Sequence, residues 1–174
     1  MQPLYILEAV DVRRADQAQS SRALTISKMA IPAIKRVKAE HKPGGGVGNV
    51  QFTFPMIEAV EPKFELKGFD PDIIGNFGFA AGTADKWTFA GAVRDKRSGR
   101  AIPARAVIQG IISEWEPTEF SPGEVAGVNH VINEVTHYEF WLDSTELWYW
   151  DFWERAGRSG GTSWFSDVVT ALGV

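Results

Sequence analysis

Three histidines and a few carboxylates are the side chains with which this sequence could do metal or acid–base chemistry. His130, Glu134 and His137 are close enough in the chain to suggest a metal site on a helix. The Val, Ile and Thr residues around them favour a strand, which puts His130 and Glu134 on one face and His137 on the other. The sequence therefore predicts no metal site and no cofactor.

Hydrolytic chemistry has equally little support. Glu114 and Glu116 could form an acid–base pair, but such a pair needs a concave pocket and a raised carboxyl pKa. An acidic loop rim is the favoured interpretation, and a small β-barrel hydrolase stays the alternative. No Ser-His-Asp order can be singled out among three histidines and many serines, and the chain has no cysteine, hence no thiolate nucleophile. We expect a protein that is not an enzyme.

The glycine-rich segment HKPGGGVGN, residues 41–49, does not fit a phosphate-binding loop. It lacks the Lys-Ser/Thr ending of a P-loop, and no G-x-G-x-x-G can be drawn through it. No helix pattern follows that could supply a dipole. We expect a mobile loop between strands that can approach another backbone closely.

The elements that carry these residues are mostly strands. Residues 57–67 alternate between an apolar face and a charged face, the latter being Glu61, Lys63, Glu65 and Lys67. A long hairpin is predicted over 86–113 and an aromatic hairpin over 125–153. Shorter strands are expected at 4–10 and 22–31.

Helix signals are few. Asp70 and Pro71 suit the N-cap and first position of a short helix over 70–78, with Gly78 as its end. Thr162 or Ser163 could cap a second short helix. The sequence predicts a single domain over 1–174, mainly β, as a β-sandwich or barrel with one or two short helices and long inter-strand loops.

Composition and charge are typical of a folded chain that associates with copies of itself. The 174 residues are 44% hydrophobic and 23% charged, without an apolar stretch of membrane-spanning length. Residues 1–42 carry eight Lys and Arg against four Asp and Glu, whereas residues 110–174 carry two against eleven. Such opposite-sign surfaces favour self-association, although a chance asymmetry of a solvated surface would look the same.

Tryptophan is concentrated in the last third of the chain, where six of the seven residues lie after position 110. Both faces of the predicted 125–153 hairpin carry aromatic side chains. One face suits a core, and the other needs a helix or another chain to cover it. Exposed tryptophan would alternatively suit a carbohydrate-binding β-sandwich.

Several segments together resemble one family. They are IPAIKRVKAEHKPGGGVGNV at 31–50, FELKGF, DPDIIGNFG, the hairpin WTFAGAVRDKRSGRAIPARAVIQGIISEWEP, the loop SPGEVAG, the strands VTHYEFWLDSTELWYWDF and the closing Leu172-Gly173-Val174. Their order and spacing resemble the major tail tube proteins of contractile-tailed phages, and those of R-type pyocins.

The resemblance implies a structural virion protein, made in the host cytoplasm, whose homo-hexameric rings stack into a tube lined by a β-barrel. Its implied partners are a sheath outside, a tape-measure protein in the lumen, and terminator and baseplate proteins at the ends. DNA would pass through transiently, and no stable membrane binding is expected. The inner tube of a pyocin or a type VI secretion system stays open as an alternative.

Three groups of residues are predicted to serve this assembly. The inter-ring loop comprises His41, Lys42, Pro43, Gly44, Gly45, Gly46 and Gly48. Ring or ring-stack contacts are assigned to Lys35, Arg36, Lys38, Ala104, Ala106 and Ile108. The balanced charges of Glu61, Lys63, Glu65 and Lys67 suit a lumen that does not retain DNA, although an outward strand beneath a sheath would alternate in the same way.

Overall fold

The computed structural model describes residues 3–15, 18–77, 84–119 and 121–173. The protein is mainly β, with 57% strand and 9% helix, which confirms the predicted fold class. Within the described ranges the strands are β1 Tyr5–Arg14, β2 Ile26–Ala30, β3 Arg36–His41, β4 Val50–Ile57, β5 Lys63–Lys67, β6 Asp85–Asp95, β7 Ala101–Pro117, β8 Gly127–Leu142, β9 Thr145–Asp151, β10 Ala156–Ser159 and β11 Thr162–Ser163. The helices are α1 Pro71–Asn76 and α2 Ser166–Ala171.

Nine strands form one antiparallel sheet, and β3 and β4 form a separate two-stranded sheet. The large sheet runs β1-β6-β7-β8-β9-β10-β11. One edge of β8 pairs with β7. The other edge of β8 pairs with β5 over the first part of β8 and with β9 over the last part of β8. Strand β2 extends the β5 branch. The sheet therefore forks along β8.

A bulge in β7 and β8 allows this fork. The register between the two strands shifts before Ile111 and again after Ile112, and Glu134 has a positive φ of 50°. A Cβ atom on Gly110 would lie 2.7 Å from Ile132 and 2.8 Å from the Asn133 carbonyl oxygen. Only glycine allows the backbones to approach this closely.

The core lies where the sheet folds over itself. The ring of Phe64 on β5 lies 5.8 Å from that of Trp87 and 5.9 Å from that of Phe89, both on β6. Strands β7 and β8 separate β5 from β6 in the sheet, so these contacts cross the interior rather than run along one face. The described strands make a curled, sandwich-like sheet that does not close into a barrel.

Some element boundaries differ from the prediction. The alternating stretch 57–67 is strand only at Ile57 and over Lys63–Lys67, since Pro62 cannot donate to a ladder. Asp70 does cap α1, where its carboxylate accepts the N–H groups of Asp72 and Ile73. The predicted end at Gly78 lies outside the described residues.

The predicted cap of the second helix is wrong. Thr162 and Ser163 form β11, paired with Ser159 and Arg158 of β10. Helix α2 begins instead after Phe165, which provides no side-chain cap. The pairing with β10 extends the backbone at Thr162 and Ser163, so neither hydroxyl can cap the helix.

Candidate assembly surfaces

The β3–β4 hairpin, called the arm below, is an amphipathic two-stranded sheet. The strands are antiparallel, with Ala39 opposite Phe52 and His41 opposite Val50. Because side chains alternate along a strand, one face of β4 carries apolar residues that are each 40–56% exposed: Val50, Phe52, Phe54 and Met56. Gln51 and Thr53 lie on the opposite face. An isolated two-stranded hairpin is marginal in water, so this apolar face needs a partner.

The predicted inter-ring loop is the tip of the arm. Residues 42–49 connect the two strands and are exposed throughout. A Cβ atom on Gly44, Gly45 or Gly48 would meet no other atom within 4 Å. The tip therefore has space around it in which another subunit could pack.

Positive charge runs along β3 at the base of the arm. Lys35, Arg36 and Lys38 are exposed. Toward the tip, Lys42 lies 3.4 Å from Glu40. The base of the arm therefore presents three exposed cations.

The predicted contact face on β7 is largely core. Ala106 and Ile108 are 1% and 0% exposed and pack in the central cluster with residues such as Trp87 and Tyr138. Ala104 is half-buried and lies opposite Gly91 and Leu142 in the sheet. The assignment of Ala106 and Ile108 to a subunit contact is wrong, because their face is covered by the subunit itself.

The charged stretch on and before β5 presents locally balanced pairs. Lys67 lies 2.6 Å and Lys28 3.0 Å from the carboxylate of Glu65, and Lys63 lies 3.7 Å from Glu61. Hydrogen bonds from Lys67 and then Lys28 lower the pKa of Glu65 to about 2. These contacts pair the carboxylates of the stretch locally, and Glu65 itself is buried, with 7% exposed.

Glu114 and Glu116 flank an open depression of about 660 Å³ beside that charged stretch, together with Lys28 and Lys63. The arrangement suits a solvated, charged surface.

His130 and His137 are held by strand packing. His130 is buried and stacks on Phe64 at 4.8 Å, and burial lowers its pKa. The ring nitrogens of His137 lie 2.9 Å from Asp151 and 2.8 Å from Glu139. Within the described ranges, no three His, Asp or Glu residues are grouped as a metal site, and no helix there is long and apolar enough to cross a membrane.

One face of the aromatic hairpin completes the core. Phe140, Trp148 and Trp150 pack against the central cluster. Trp164, which precedes α2, stacks on Trp148 at 5.5 Å. A Cβ atom on Gly157 would lie 2.2 Å from the Trp164 ring, so glycine is required there.

The other face of this hairpin is less apolar than its sequence indicates, because Trp141 and Tyr149 have polar partners. Trp141 donates to Glu139 at 2.8 Å and Tyr149 to Glu154 at 2.6 Å. The guanidinium of Arg158 lies 3.7 Å from the Tyr149 ring centroid. This face is therefore a polar network rather than a bare aromatic platform.

An apolar cleft of about 250 Å³ lies between the base of the arm and the aromatic hairpin. Its lining is almost entirely apolar and comes from β4, the end of the aromatic hairpin and the segment before α2: Pro55, Met56, Ile57, Trp150, Phe152, Ala156, Trp164 and Phe165, with Asp151 and Arg155. Trp153 follows Phe152, a residue of this cleft, in the chain and is 74% exposed.

A buried ionic network around Arg22 holds α1 and was not anticipated from the sequence. Arg22 donates to Asp70 and to Asp72, the latter at 2.8 Å. Its guanidinium also lies 5.5 Å from the Trp87 ring centroid. Arg14 links Asp72 to Asp85. No local pattern marks Arg22, because its partners lie 48 and 50 residues further along the chain.

We expect this network to make subunit stability fall at acid pH. Burial alone would raise the pKa of Asp70, but hydrogen bonds from Arg22 and backbone N–H groups outweigh it and lower that pKa. A carboxyl group whose pKa is lower in the folded chain than its value near 4 in the unfolded chain stabilises the fold at pH values above about 4. That stability is lost as the pH falls through the pKa of the folded chain. Thermal melts of Asp70→Asn, which keeps a capping side chain, should depend less on pH between about 5 and 2 than wild type.

The exposed Asp167→Asn in α2 is the matched control for this prediction. It should melt with the pH dependence of the wild type. Equal pH dependence of Asp70→Asn and wild type would contradict the role assigned to the Asp70–Arg22 pair.

Comparison with known proteins identifies the family of this chain. The family of phage tail tube protein FII matches residues 18–173. The chain belongs to this family. Its role is that of a structural tail tube protein, a component of the virion tail. No protein with a curated function matches the sequence at a significant level.

Solved structures with the same fold come from the anti-feeding prophage. A chain of its tube-terminating cap aligns with a TM-score of 0.52 at 9% identity, covering 78% of this tail tube protein and 93% of that chain. A chain of its six-fold symmetrised baseplate aligns with a TM-score of 0.50 at 8% identity, covering 83% and 95%. At such identity the similarity shows the fold alone.

Proposed function

We propose that six copies of this tail tube protein close into a ring, and that the rings stack into the inner tube of a contractile tail through which the genome passes. The observation that carries the proposal is the arm, a hairpin outside the main sheet whose apolar face is half exposed on each of four side chains. Exposed apolar surface of this kind marks an interaction site. The family membership makes other copies the natural partners.

Open strand edges support closure into a ring. Among the described strands, β1 pairs only with β6, and β2 pairs only with β5. Unpaired edges invite uncontrolled aggregation unless they are covered or closed. Head-to-tail contacts between identical copies remove such edges when the rotation closes, and they generate filaments when it does not.

The charged stretch of Glu61, Lys63, Glu65 and Lys67 is assigned to the lumen in this proposal. Its local ion pairs leave little net positive charge to bind phosphates, whose contacts would otherwise slow the passage of DNA. The same tube would hold a tape-measure protein inside and carry a sheath outside. Terminator and baseplate proteins would bind its ends.

The ring itself is tested by native mass spectrometry of the purified protein, with sedimentation velocity as a second method. We expect a species of six subunits and multiples of it. A monomer at all concentrations would contradict the proposal, as would a closed dimer.

Deletion of Gly44 to Gly46 is expected to leave a folded, soluble subunit that no longer makes long tubes. Fixing each flexible residue costs about 1–2 kcal/mol, so we expect the tip to be disordered in a free subunit and to order when a second ring docks. Circular dichroism and negative-stain microscopy measure the two outcomes. Tubes of normal length from the deletion variant would overturn the assignment of this loop.

Tube assembly is expected to weaken as ionic strength rises. Lys35, Arg36 and Lys38 would face acidic groups in residues 110–174 of an adjacent subunit. Each exposed pair contributes at most about 1 kcal/mol and is screened over about 8–10 Å at ordinary salt. Light scattering across a salt series measures the effect, and assembly indifferent to salt would refute these contacts.

A further inference from the structure

The apolar cleft at the base of the arm is sized for side chains rather than for a small-molecule ligand. Its volume of about 250 Å³ falls below the roughly 300–1,000 Å³ typical of ligand pockets. Asp151 and Arg155 are the polar residues among those that line it, so it offers few groups to orient a sugar or a nucleotide. One or two large apolar side chains are the occupants that fit.

The cleft is continuous with the apolar face of the arm. Met56 belongs to that face and also lines the cleft. The apolar surface therefore runs from Val50 along β4 to the wall formed by Trp150 and Phe152. A surface that joins a protruding part to a recess on one chain can bind a second copy of itself, with the arm of one subunit in the recess of the next.

We propose that the cleft of one subunit receives the arm of a second copy, with Phe52 as the inserted side chain. This inference rests on the proposed stacking of rings and specifies where each arm docks. Phe52 is 56% exposed, the most of the four apolar residues on its face. Aromatic side chains seated in apolar pockets dominate the energetics of protein interfaces.

Charge supports the same pairing. The base of the arm exposes Lys35, Arg36 and Lys38, whereas residues 110–174, which form most of the cleft, carry two Lys and Arg against eleven Asp and Glu. Asp151 and Arg155 line the cleft itself, and Glu154 lies between them in the chain. A basic arm with an apolar face would thus dock on an apolar cleft in a region of net negative charge. Opposite charges orient the two subunits and raise their rate of association.

The absence of native cysteine allows a direct test by cross-linking. Gln51→Cys places a thiol on the arm without touching Phe52, and Trp153→Cys places one next in the chain to Phe152, which lines the cleft. The two variants are mixed, assembled and treated with a short bis-maleimide, so that a dimer joining positions 51 and 153 forms only between copies. We expect this dimer to be the main cross-linked product in assembled protein and to fall to background in unassembled protein. Leu24→Cys, a fully exposed site before β2, replaces Trp153→Cys in the control.

The possible outcomes separate this inference from the proposed function. Tubes that form normally but yield no 51–153 dimer would overturn the docking site and leave the tube intact. An equal yield with the Leu24→Cys control would overturn it as well. If neither rings nor tubes form from the wild-type protein, the proposed function and this inference both fail.

Discussion

Replacing Phe52 and Phe54 with serine is expected to give a folded, soluble subunit that forms no tubes. Both side chains lie on the exposed face of the arm and outside the core, so their loss costs the subunit little. In a tube each substitution is repeated in every copy, and burial of apolar area contributes about 25 cal/mol per Å² at each contact. Circular dichroism checks the fold, and sedimentation velocity checks assembly.

The polar face of the same strand provides the control. Gln51→Ser with Thr53→Ser changes the same number of positions on β4 and should assemble as the wild type does. Normal tubes from the Phe52/Phe54 variant would contradict the role of the apolar face. Loss of tubes from both double variants would show that the arm is sensitive to any change, and would contradict the specific role of that face.

Trp87→Ala is expected to cost about 3–5 kcal/mol of unfolding free energy, the range for removing a large buried aromatic side chain. Trp87 is 2% exposed, contacts Phe64 and lies under the Arg22 guanidinium. The loss is a large fraction of the roughly 5–15 kcal/mol that stabilises a domain. Urea unfolding followed by far-ultraviolet circular dichroism measures it.

Trp153→Ala is the matched control for this stability measurement, because its side chain is 74% exposed. Surface substitutions of this kind change stability by about 0.5 kcal/mol or less. Equal losses in the two variants would contradict the placement of the core between β5 and β6.

Period-two patterns made much of the fold predictable. The alternation at 60–66 identifies the apolar face that the structure buries through Val60, Phe64 and Leu66. Asp70 followed by Pro71 indicates the start of α1 because capping is a local interaction. The hairpins are predictable for the same reason, since their turns and alternation lie within a short stretch of chain.

The local sequence of an apolar face does not indicate which element packs against it. Ala106 and Ile108 share a face of small and branched residues that would look the same against another subunit as against the subunit's own core. Because the sheet curls, this region is covered by β5, which is distant from β7 in sequence. The sequence of β7 contains no signal of this covering. The Arg22 network and the separation of the arm from the main sheet also depend on long-range packing.

The polar partners on the outer face of the aromatic hairpin illustrate the same limit. Tyr149 carries an ionic and hydrogen-bonded network with Glu154 and Arg158. In the sequence Tyr149 stands between two tryptophans and suggests a bare aromatic surface. Only the turn between β9 and β10 brings the charged side chains over the ring.

Electron microscopy of the purified, tag-free protein tests the central claim most directly. We expect hollow tubes, or short stacks of rings, whose end-on views have six-fold symmetry and a central channel. Uniform single subunits without rings, at concentrations where other tail tube proteins assemble, would contradict the account.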